Sequence, residues 1–63
     1  MTKREAIEEM KALRKIVKDW LADDPWHEAV IDRYEDLFSY VFCCNGRDPG
    51  PWEVPPVPEG VVP

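Results

Sequence analysis

Apolar positions in the first third of the chain fall at Ala6, Met10, Leu13, Val17 and Trp20, at steps of four, three, four and three. This is the spacing of a single seam along an α-helix. Ile16 and Leu21 widen the seam on its two sides. The opening Thr2-Lys3-Arg4-Glu5 fits a capping box, in which the Thr2 hydroxyl bonds the Glu5 amide and the Glu5 carboxylate reaches back to the Thr2 amide. A first helix is therefore expected from about Thr2 to Ala22.

Asp23-Asp24-Pro25 predicts the next boundary, because proline disfavours helical geometry at the residue before it and suits the first helical position itself. Asp24 is the expected N-cap of a second helix running to about Cys44. That helix repeats the four-three pattern with Val30, Tyr34, Leu37, Val41 and Cys44, and adds Trp26, Ile31, Phe38 and Phe42. Asn45-Gly46 supplies residue types that close a helix in the left-handed conformation. So short a connection predicts antiparallel neighbours.

Residues 47–63 hold six of the seven prolines and two of the three glycines, which excludes helix and central strand and favours extended polyproline II geometry. Trp52 and Val54 give this segment apolar anchors. The expected fold is all-α: an antiparallel two-helix hairpin over residues 1–46, with an extended proline-rich C-terminal tail, 47–63, partly packed on it. Projected at about 100° per residue, the apolar arc of the second helix spans roughly 220°, from Ala29 through Leu37 and Val30 to Phe42. One partner helix covers about half of that, so the tail, a second copy of the chain or a different protein must shelter the rest.

Composition narrows the function classes. A chain of 63 residues sits where a lone hydrophobic core is marginal. Its longest apolar run, Tyr40 to Cys44, is far too short to cross a bilayer, and the polar first residues do not read as a secretory signal. The adjacent Cys43 and Cys44 do not favour the usual disulfide geometry, in keeping with a reducing compartment, and a cytoplasmic location is expected. The formal charge of −5 opposes unassisted binding to nucleic acid or to an anionic membrane, and neither is expected as a partner. The charge is unevenly placed. Residues 1–22 carry six basic and four acidic groups, whereas residues 23–44 carry one basic and six acidic. Glu28, Asp32, Glu35 and Asp36 form an acidic strip on the second helix, and Lys11, Arg14, Lys15 and Lys18 a basic face late in the first.

Candidate chemistry is sparse. His27 is the only histidine. Cys43 lies sixteen residues further along the same helix, about 24 Å away at 1.5 Å per residue, so a Cys-His pair within one chain is excluded. The cysteines sit at a helix C-terminus, which disfavours the thiolate, and are expected to act as small apolar fillers. The carboxylates Glu5, Glu8, Glu9, Glu28, Asp32 and Glu35 are too dispersed for a magnesium cage. No catalytic residues, metal or cofactor are expected. Pro55-Pro56-Val57-Pro58 has the PxxP spacing but lacks the flanking basic residue of an SH3 ligand.

The expectation is thus a small acidic binding protein and not an enzyme. Trp26, Tyr40 and Phe42 are expected to stay partly exposed and anchor a partner, while Glu28, Asp32, Glu35 and Asp36 steer it. The partner is a larger protein with a basic or mixed-charge surface, for instance a nucleic-acid-handling enzyme that the chain inhibits, since such enzymes present basic grooves. Compact binders of this kind suit gene-dense genomes such as those of bacteriophages. The alternative is a homodimer, two hairpins joined as a scaffold bundle.

Overall fold

The computed structural model describes residues 1–43 and 46–63, and its described elements are two α-helices packed on one another as a helical hairpin: α1, Lys3–Ile16, and α2, Pro25–Phe42. Both begin where local chemistry dictates. Thr2 is extended (φ −83°, ψ 161°); its hydroxyl accepts from the Glu5 amide at 3.1 Å, and its own amide donates to Glu5 Oε1 at 2.8 Å. Asp24 is likewise extended, its Oδ1 accepts from the His27 amide at 3.0 Å, and Pro25 occupies the first turn. Each cap satisfies amide donors that have no carbonyl partner within the helix.

The first helix ends six residues before the point that the apolar spacing predicts. Val17 leaves the helix with an extended backbone (φ −92°, ψ 114°) while its amide still bonds the Leu13 carbonyl at 3.1 Å. Two adjacent β-branched residues, Ile16 and Val17, are weak helix formers. Beyond them the Asp19 carboxylate accepts from the Leu21 amide at 3.0 Å, a local turn that competes with helical bonding. Val17 stays in the core by this route, and Trp20 still meets Tyr34 edge to face at 5.1 Å between ring centres. Leu21 does not widen any seam: it is 93% exposed.

The second helix ends at Phe42, with Cys43 extended and its amide on the Ser39 carbonyl at 2.9 Å. Cys43 is exposed and so is no core filler; Cys44 and Asn45 lie outside the described residues. Gly46 does not close the helix in the left-handed region, since the glycines with positive φ are Gly50 and Gly60. Its service is close approach. A Cβ at residue 46 would lie 2.1 Å from the Ser39 carbonyl oxygen, so the returning chain touches the helix backbone where no side chain fits.

Ala6, Met10, Leu13 and Val17 meet Trp26, Val30 and Leu37 to form the core, which Trp52 and Val61 from the far end of the chain also cover. Residues 46–63 contain no helix or strand. Their carbonyls are taken up in order along α2: Arg33 Nη1 donates to Pro49 O at 3.2 Å, Nη2 to Gly50 O at 2.6 Å, and Trp26 Nε1 to Pro55 O at 2.8 Å. The Trp52 ring lies 5.6 Å from the Arg33 guanidinium carbon, a cation–π contact.

Candidate functional site

Helical geometry divides α2 into three strips, and each has a different fate. The strip of Trp26, Arg33 and Tyr40 faces inward and toward residues 46–63. Arg33 is 5% exposed and donates through Nε and Nη2 to the two oxygens of Glu9, at 2.6 and 3.3 Å, in addition to its carbonyl contacts. It thereby joins both helices and the C-terminal segment at one buried point. Tyr40 is half-buried, and its hydroxyl donates to the Met1 carbonyl at 2.6 Å; the Met1 ammonium in turn bonds the Asp48 carboxylate.

The second strip, Glu28, Asp32, Glu35 and Asp36, is exposed throughout. The third is apolar and uncovered. Phe38 and Phe42, one turn apart with ring centres at 4.7 Å, are 47% and 64% exposed, and Ile7 of α1 beside them is 38% exposed. A groove of about 760 Å³ runs between the helices here, with Arg14 on one wall, Glu35 on the other and Trp20, Ile31, Tyr34 and Phe38 between them. It continues into a smaller hollow of about 330 Å³ where Lys11 and Arg14 border Ile7, Phe38 and Phe42.

The structure thus relocates part of the expected surface. Trp26 is 3% exposed and belongs to the core, so the expectation that it stays available to a partner is corrected: the Pro55 carbonyl occupies its one polar atom. Tyr40 is partly engaged within the chain, and Phe42 is open. Phe38, not among the expected anchors, is 47% exposed and belongs to the exposed stripe. Arg33 and Glu9 went unmarked as a pair; the available signal was one arginine on the apolar side of an otherwise acidic helix.

His27 is 1% exposed, its Nδ1 bonds the Asp24 carboxylate, and its Nε2 has no partner. The Trp26 ring meets it edge-on at 4.8 Å. An imidazole–carboxylate pair is the arrangement of a general base, but here the free nitrogen points into packed side chains that leave no room for a substrate. Among the described residues, no three His, Cys, Asp or Glu side chains gather as a metal site. Of the carboxylates considered for magnesium, Glu9 is turned to Arg33 and Glu5 to Thr2.

Burial pushes the Asp24 carboxyl up, but bonds from the His27 amide and ring outweigh it and hold the group below its ordinary 3.8. Bonds from the Thr2 amide and hydroxyl hold Glu5 below its usual 4.5. Carboxyls with lowered values bind protons less readily in the folded state than in the unfolded one. Their stabilisation is therefore complete above about pH 5 and fades as pH falls through 4 and below. We expect the thermal midpoint to drop along this acid limb, and Asp24→Asn to flatten it while lowering the midpoint at neutral pH; thermal scans by circular dichroism at a series of pH values check this. An unchanged limb in the variant would show that the cap carries none of the effect.

Compared with known protein families, curated proteins and solved structures, the chain matches none. Among the described residues, no helix is long and apolar enough to cross a membrane.

Proposed function

We propose that the chain is a non-enzymatic protein-interaction module that docks on a larger protein through the Phe38–Phe42 face of α2, with the acidic strip orienting the partner. The observation that carries this reading is the half-exposed Phe38 and Phe42 pair, rings tilted at 43° with centres 4.7 Å apart, lying beside Glu35 of the acidic strip. Large aromatic side chains left in water beside a charged rim are the composition of a binding surface and a cost to a monomer. The architecture behind it is an antiparallel hairpin braced by an extended proline-rich tail. The antiparallel sense is supported by Met1 meeting Tyr40 and Glu9 meeting Arg33, and the brace by the inward-turned carbonyls of Pro49, Gly50 and Pro55.

The partner presents a basic or mixed-charge surface with an apolar centre. A nucleic-acid-handling enzyme, whose groove the acidic helix would occupy as an inhibitor in the cytoplasm, fits that description. The test is quantitative capture of partner from the native host's lysate by the tagged full chain. Asp32→Lys/Glu35→Lys is expected to weaken capture about tenfold or more, with helicity unchanged. Phe38→Ser/Phe42→Ser should abolish it. Capture unchanged by both would reduce the acidic strip to a solubility face and end this reading.

A further inference from the structure

The groove walls carry opposite charge. Lys11 and Arg14 line the groove on the α1 side and Glu35 on the α2 side, with Phe38 and Phe42 between; Asp32, also exposed, continues the acidic strip about one turn before Glu35. Among the described residues the ion pairs are Met1–Asp48, Asp24–His27 and Glu9–Arg33, and none of them involves these four charged groups. A surface built as a basic edge, an apolar centre and an acidic edge is complementary to itself under one symmetry operation only. A two-fold axis parallel to the helices lays the basic edge of each copy over the acidic edge of the other. An axis across the helices would set like charge on like.

We infer that the free chain closes on a second copy of itself through this face, about a two-fold axis parallel to the helices, so that sister copy and docking partner compete for the Phe38–Phe42 stripe. This rests on the docking reading above and adds its regulation. The axis places α1 of each copy beside α2 of the other, and with antiparallel hairpins every neighbouring pair in the resulting four-helix bundle is antiparallel. The opposite side of α2 is already occupied by Trp52 and Pro55, so this face does not propagate and association stops at two. A standard interface takes about 800 Å² from each partner, roughly a sixth of the 4766 Å² surface of this 37 Å-long molecule. One long face is sufficient.

The experiment is sedimentation of the purified full chain from sub-micromolar to hundreds of micromolar. A concentration-dependent doubling of mass is expected. Lys11→Glu/Arg14→Glu and Asp32→Lys/Glu35→Lys should each sediment as monomers, with dimer affinity down about tenfold or more from like-charge contact. Mixing the two variants in equal amounts should restore a mixed dimer. All four positions are exposed, and circular dichroism of each variant confirms that it folds. A wild-type chain that stays monomeric throughout, or a mixture that fails to pair, overturns the inference. The docking reading fails separately: a monomeric chain that still captures a larger protein through Phe38 and Phe42 keeps docking and loses self-closure, whereas a dimer that captures nothing loses docking alone.

Discussion

Replacing Arg33 by alanine should lower the thermal midpoint by about 15 °C and leave much of the chain unfolded at physiological temperature, the equivalent of about 3 kcal/mol in a domain this small. The reasoning starts from what the guanidinium does. It gives two bonds to Glu9 on α1 and one each to the carbonyls of Pro49 and Gly50, with Trp52 over its face. Alanine removes every donor at once and leaves a partly buried carboxylate and two carbonyls without partners, on top of the packing lost from the arginine stem. Arg33→Lys is the informative control. An ammonium holds one oxygen well but cannot reproduce a planar fork aimed at two segments, so the variant should fall between wild type and alanine. Thermal and urea melts of the three proteins check this, and a shift in Arg33→Ala of under about 4 °C would show that the junction contributes little.

Trp26→Ala should be at least as severe, costing about 3–5 kcal/mol by cavity formation alone. The indole is nearly enclosed, packs with Val30 and Leu37, and anchors the segment that returns along α2 by donating to the Pro55 carbonyl. Trp26→Phe separates these two contributions, because it keeps most of the apolar volume and deletes the donor. It should cost about 1 kcal/mol and expose the residues after Pro55 to faster hydrogen exchange. These variants also discriminate between a core and an interface role. If Trp26→Ala left stability intact and impaired only partner capture, the inward placement of this ring would be irrelevant to folding.

The helix starts were legible in the sequence because each is fixed within four residues. Thr2 with Glu5, and Asp24 with Pro25, need no tertiary information. The end of α1 was not. Val17 and Trp20 fall at helical spacing, yet a chain that leaves the helix at an extended Val17 and turns over the same core buries Val17 equally well, and periodicity does not distinguish the two routes. The excess apolar arc of α2 was visible too, but not which half of it the chain itself covers. Residues 49–61 take the side of Trp26 and Arg33, which converts Trp26 from an expected anchor into core and leaves Phe38 and Phe42 outside. Arg33 was obscured by arithmetic. Counted as the lone cation among six acidic residues, it reads as dilution of a negative helix, whereas its angular position, in line with Trp26 and Tyr40 at steps of seven, sets it on the inward side.

The returning segment has one further property. A segment outside helix and sheet lying on a protein's flank ordinarily offers amides and carbonyls to any passing strand, the first step of edge-to-edge aggregation. Here prolines at 49, 51, 55, 56, 58 and 63 delete amide donors, while the carbonyls of residues 49, 50 and 55 are already committed inward. The outermost ribbon of this small molecule is therefore a poor template for β-sheet growth, despite being the least regular part of its backbone.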